Sequence, residues 1–231
     1  MKKIEKVKIG SRALTAAIPF IGGTINSLWA DFSAHRKELR FAELVNSLES
    51  DIQVIQNINQ SFITHEDFLD LFENISRHVV IERDSAKRIM YKNLIVSSAK
   101  DVNANFDKTE KYIRLLEAIT TNETIYLKIF LNPRKFNDEC GSPIVNKNDE
   151  GDSYSTYWEN VTVLELLKRL LPNLPTEDIL DSLDFLEKNR LVNTNNGADS
   201  LKTNGNPIDL LENKITEKGM NFIDYITCEN Y

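Results

Sequence analysis

The sequence predicts a mainly α protein: an N-terminal helical bundle over residues 1–105, then a second domain over 106–231 that mixes helices with a small β-hairpin. Three observations carry this. The 231 residues hold only 8 Gly and 6 Pro, too few for a loop-rich β protein. Apolar residues recur at spacings of three and four along most of the chain, the helical period. Near the C-terminus the pattern becomes helix, helix, helix, strand, turn, strand, helix.

Composition narrows the classes. Hydrophobic residues are 41% and charged residues 27%, an ordinary globular mix. The net charge is −7, which disfavours generic nucleic-acid binding. Two cysteines, Cys140 and Cys228, with no CxxC spacing, exclude a disulfide scaffold and place the expected location in a reducing cytoplasm.

The first segment departs from the acidic balance. "KKIEKVKIGSR" carries Lys2, Lys3, Lys6, Lys8 and Arg12 against one acid. Behind it, Ala13 to Ala30 is uncharged but interrupted by Pro19, Gly22 and Gly23, and no small-x-small cleavage site precedes Asp31, so a signal peptide is disfavoured. A spanning helix needs about 20 mostly apolar residues, and Thr15, Thr24, Asn26 and Ser27 dilute this shorter run. It reads as a buried hairpin: a helix to Ala17, a turn at "PFIGG", a second helix from Thr24. The alternative is a peripheral, conditional membrane contact. The five basic residues would then steer to anionic lipid, and Phe20, Ile21, Leu28 and Trp29 would insert.

From Phe41 a heptad-like stripe follows: Val45, Leu48, Ile52, Ile55, Asn59 and Phe62 at spacings of 3 and 4. It predicts one long helix whose seam faces the bundle or a protein partner. "THED" (Thr64 to Asp67) reads as a helix start capped by Thr64 rather than as a metal or acid–base site, since no ligand spacing accompanies it. Phe68, Phe72, Ile75 and Val79 form the buried face of that helix, and His78 sits at pairing distance from Glu82 along it. Asp84 to Lys100 is a fourth helix with an Asp or Ser cap, and "DVNANFD" (Asp101 to Asp107) is a polar boundary.

The second half opens with Lys108 to Pro133, two short helices or one kinked at "TTNET" and stopped by Asn132-Pro133. A long polar insert covers 134–156. Its "NKNDEGDS" fails as a calcium loop, because position twelve is Tyr157 and not Glu. Helices follow at Val161–Pro172 and Pro175–Asn189, the latter burying Ile179, Leu183 and Leu186. "RLVNTNNG" reads as a strand entering a turn. "ENKITEKGMNFIDYI" reads as the return strand and a last helix, capped by Thr216, kept close to the hairpin by Gly219, with Met220, Ile223 and Ile226 buried beside Phe222.

This order, and "LEKNRLV…ITEKGMNFIDYI" in particular, resembles winged helix-turn-helix domains. The helix that would read DNA, however, carries Glu177, Asp178, Asp181, Asp184 and Glu187 against Lys188 alone. Carboxylates facing phosphates are repelled, so the element reads as a protein-interaction helix. No Walker loop, GxSxG or metal spacing occurs, and no catalytic, cofactor or metal residues are expected.

"IRLLEAITTNETIYLKIF" (Ile113 to Phe130) is similar to the LL-x-x-Leu-Thr-x-x-Glu helix that precedes the winged region in the abortive-infection alpha (Abi-alpha) family, and "ITEKGMNFIDYI" resembles the end of such proteins. The "IPFIGG…HRKELRFAEL" start resembles phage- and mobile-element-associated proteins. The resemblance implies a role in bacterial defence against phage. The expected function is therefore a non-enzymatic interaction protein that works by association with a partner or itself. A membrane-acting effector and a winged-helix transcription regulator are the alternatives.

Overall fold

The computed structural model describes residues 21–32, 34–54, 59–101, 104, 106–144, 161–200 and 206–228, with the side chains of 52–54 and 60 outside the description. Among the described residues lie eleven α-helices, one 3-10 helix and no β-strand. Two compact units divide the chain: one runs to Ile119 and resumes at Asp224, the other is Thr120–Ile223.

The first unit holds α1 (Ile21–Asp31), α2 (His35–Val54), α3 (Gln60–Ile63), α4 (Glu66–Ile81), α5 (Ser85–Lys100) and α6 (Phe106–Ala118). Helix α4 packs against all five others. Phe68, Phe72, Ile75 and Val79 are buried along it as their spacing predicts, and Leu71 and Val80 widen the face. Helix α5 is buried nearly all round, from Met90 to Ala99, which suits a central helix rather than an amphipathic surface one. Its start follows the local signal: the Asp84 side chain accepts from the Ala86 N–H at 2.8 Å.

Several local expectations are corrected. Gly22 and Gly23 do not turn the chain; both lie in the first turn of α1. Burial of Ile21, Ile25 and Leu28 outweighs the helical cost of glycine, about 1 kcal/mol each. The stripe from Phe41 to Phe62 is not one helix, because α2 ends at Val54 and Asn59 caps α3. The Asn59 side chain accepts from Phe62 N–H at 3.2 Å and donates to the Asp101 carbonyl at 2.8 Å, a use that asparagine prefers to a helix interior. His65, not Thr64, caps α4, its Nδ1 accepting from Asp67 N–H at 3.2 Å. The His78 ring stacks on Tyr91 with centroids 5.4 Å apart. Helix α6 belongs with the bundle, burying Tyr112, Ile113, Leu115 and Leu116, so the units divide at Ile119–Thr120 and not at 105.

The second unit holds α7 (Thr121–Leu131), α8 (Pro133–Glu139), α9 (Val163–Leu170), α10 (Thr176–Lys188), the 3-10 helix Pro207–Leu211 and the start of α11 (Glu217–Thr227). "TTNET" does divide two helices: Thr120 and Glu123 form a capping box. Asn132-Pro133 both ends α7 and starts α8, Pro133 standing where a missing N–H costs nothing and Asn132 accepting from Lys135 N–H at 3.1 Å. Residues 134–139, expected in a polar insert, are thus helical, while 145–156 lie outside the described residues. Thr162 and Glu165 cap α9 in the same reciprocal way. Helix α10 buries Ile179, Leu183 and Leu186 as read.

Among the described residues the expected β-hairpin is not formed. Two isolated antiparallel bridges stand in its place, Val192 with Ile215 and Thr162 with Ser200. The reason is local: Asn195, Asn196 and Gly197 all take positive φ, of 49°, 50° and 78°, and turn the chain before a ladder can extend. The turn leans on α9 instead, where the Gly197 carbonyl accepts from Leu164 N–H at 3.1 Å. The closing helix is placed as expected: Thr216 Oγ1 accepts from Gly219 N–H at 3.0 Å, and a Cβ on Gly219 would lie 2.2 Å from the Leu191 carbonyl oxygen. Met220, expected inside, is 39% exposed; the buried stripe is Phe222, Ile223 and Ile226.

From Asp224 the last turn of α11 belongs to the first unit. Asn93 Nδ2 donates to the Ile226 carbonyl and Ser97 Oγ to the Tyr225 carbonyl, both at 2.9 Å. The Tyr225 hydroxyl donates to Asp101, its ring meets Tyr112 edge-on at 4.9 Å, and Lys108 Nζ sits 4.7 Å over its face.

Candidate functional site

Two helices of the first unit present matching stripes. Arg40, Glu43, Leu44 and Ser47 stand at i, i+3, i+4 and i+7 on α2, and Ser85, Arg88, Ile89 and Lys92 repeat that spacing on α5. Each set shares one helix face. Together with Val79 of α4 they line a groove of about 290 Å³. Leu44 and Val79 are buried, whereas Ile89 is 57% exposed and leaves an apolar edge open to solvent.

The cations are fixed by backbone. Helix α4 ends with carbonyls that lack intrahelical donors. Arg40 Nη1 donates to the Val80 carbonyl at 2.9 Å; Arg88 Nη1 donates to the carbonyls of Arg83 at 2.9 Å and Glu82 at 3.3 Å. A guanidinium has five N–H donors, so each keeps donors beyond these bonds. Neither pairs with a carboxylate among the described residues. Lys92 does, holding Asp51 at 2.5 Å, and Glu43 is an exposed acid on the same wall. Such an arrangement offers guanidinium donors of the geometry that suits a carboxylate, beside an exposed apolar edge at Ile89.

The structure distributes the sequence candidates differently. Of the lipid-facing set, Ile21 and Leu28 are buried, and Trp29 is half-buried against Phe41 at 5.3 Å; none of the three is offered to a membrane here. Lys2, Lys3, Lys6, Lys8, Arg12 and Phe20 lie outside the described residues. Of the partner seam, Phe41, Val45, Leu48 and Phe62 are buried in the bundle, so they serve its core rather than a partner. Asn59 is the α3 cap, Ile52 lies in α2 with its side chain outside the described residues, and so does all of Ile55. On α10, Glu177, Asp178 and Asp181 are exposed. Asp184 pairs with Lys188 at 2.5 Å, and Glu187 is engaged internally by Thr194 and Asn196.

Sequence reasoning followed apolar stripes, the basic leader and the acidic helix, and passed over Arg40, Arg88 and Lys92. The usable signal was a cation four places before Leu44 on α2, and cations one place before and three beyond Ile89 on α5. No group of three or more His, Cys, Asp or Glu among the described residues could hold a metal ion. No helix among them is long and apolar enough to cross a membrane. Comparison of the chain with protein-family models, with curated proteins and with solved structures gives no significant match.

Proposed function

We propose that this chain is a non-enzymatic interaction protein whose first unit grips a carboxylate-bearing protein segment in the groove between α2 and α5. One observation carries the reading: Arg40 is anchored by the Val80 carbonyl of α4 and Arg88 by the Glu82 and Arg83 carbonyls just beyond it, beside the exposed Ile89, and neither pairs with a carboxylate among the described residues. Charge-assisted, bidentate contacts supply specificity for an acid, and the isoleucine supplies a desolvated edge. The second unit is, on this reading, a winged-helix relative with its wing reduced to single bridges, and its acidic α10 makes it a protein-contact module and not a reader of DNA. The resemblance to Abi-alpha proteins supports placing this association in bacterial phage defence.

The test is a fluorescence-anisotropy titration with a labelled Glu- and Leu-rich peptide. Arg40→Glu with Arg88→Glu is expected to weaken binding at least about tenfold with unchanged circular dichroism. Equal binding by wild type and double variant, or tight salt-sensitive binding of duplex DNA, overturns the proposal.

A further inference from the structure

We infer that the acidic segment received by the groove is helix α10 of a second copy of this chain, so that the protein assembles head to tail. This deepens the reading above and rests on it.

The occupant follows from what each surface lacks. Glu177, Asp178 and Asp181 are exposed on α10, and none pairs with a cation among the described residues. The other two acids of that helix are already engaged, Asp184 by Lys188 and Glu187 by the turn at Thr194. Among the described residues, three carboxylates outside any ion pair on one element thus answer two guanidiniums outside any ion pair on another. The spacing agrees as well. Glu177, Leu180, Asp181 and Asp184 occupy i, i+3, i+4 and i+7, the same spacing as both groove walls. Leu180 is half-buried and flanked by acids, as Ile89 is exposed and flanked by cations. A volume of about 290 Å³ takes side chains rather than a helix, so α10 lies along the mouth with its acids reaching in.

Chemistry sets the character of the assembly. The two surfaces are different patches, so the contact is heterologous, and copies add in a chain or close as a ring. Exposed charges attract over a Debye length of about 8 Å at physiological salt, so the contact weakens as salt rises.

Sedimentation velocity of the full-length protein over a concentration series tests this. In about 50 mM salt the sedimentation coefficient is expected to rise with concentration, and in about 500 mM salt the association constant is expected to fall at least about tenfold. Arg40→Glu with Arg88→Glu, and separately Glu177→Arg with Asp181→Arg, are each expected to abolish self-association. Mixing the two variants, or combining all four changes in one chain, is expected to restore heavier species. A wild-type protein that stays monomeric to about 0.5 mM in low salt overturns the inference. So does self-association that survives the groove variant, or charge-swapped chains that fail to recover it. A monomer that still binds the acidic peptide through Arg40 and Arg88 overturns the self-assembly alone; loss of peptide binding as well overturns the groove reading with it.

Discussion

Glu187 shows how one side chain can be diverted from surface to scaffold. Its Oε1 accepts from Thr194 N–H and Thr194 Oγ1 at 2.7 Å and from Asn196 N–H at 2.9 Å. Burial pushes its carboxyl up, but those hydrogen bonds together outweigh burial and hold it below the ordinary value of 4.5. A group depressed in the folded state contributes stability above its unfolded pKa and loses it as pH falls through the folded one. Urea unfolding of wild type is therefore expected to weaken as pH drops below about 4.5, and part of that decline is expected to vanish in Glu187→Ala. At pH 7 the same variant is expected to lose about 2 kcal/mol, the worth of hydrogen bonds to a charged group.

At the scale of elements, the two ends of the α10–α11 connection make opposite demands on glycine. Arg190 takes a positive φ of 56°, with Arg190 N–H bonded to the Glu187 carbonyl at 2.8 Å and Leu191 N–H to that of Leu186 at 2.9 Å. This helix ending favours glycine at the left-handed position, so Arg190→Gly is expected to gain about 1 kcal/mol. Gly219→Ala, which would drive a Cβ into the Leu191 carbonyl, is expected to lose about 1–3 kcal/mol. Calorimetric midpoints of the two variants are expected to move in opposite directions from wild type.

What was legible at this scale was local. The Asp84, Thr120–Glu123 and Thr216 caps and the buried faces of α4 and α10 depend on residues three or four apart, and the sequence displays them directly. The missing hairpin turned on left-handed Asn195 and Asn196, conformations that asparagine tolerates without requiring. The start of α3 turned on Asn59, whose carbonyl partner Asp101 stands 42 residues away. The groove was half legible: each stripe is written in its own helix, but their meeting requires α2 and α5 to pack, a fact of tertiary structure.

At the scale of the whole molecule, the first unit is built from two stretches of chain separated by the second. Tyr225 is the firmest part of the returning stretch, bonded to Asp101 and set against Tyr112 and Lys108. Tyr225→Ala is expected to lower the stability of the first unit by about 2 kcal/mol, through lost burial of the ring and the lost hydrogen bond to Asp101. Trp29 reports on that unit; in a Trp158→Phe background its emission is expected to show the unfolding midpoint at lower urea. The same return has a consequence during synthesis. The ribosome delivers Ile119 about a hundred residues before it delivers Asp224, a delay of roughly 5–20 seconds at ordinary elongation rates. For that interval the nascent bundle stands with the seat beside Asn93 and Ser97 uncovered, and any product cut short before Tyr225 keeps it uncovered, open to the proteases that clear unfinished chains.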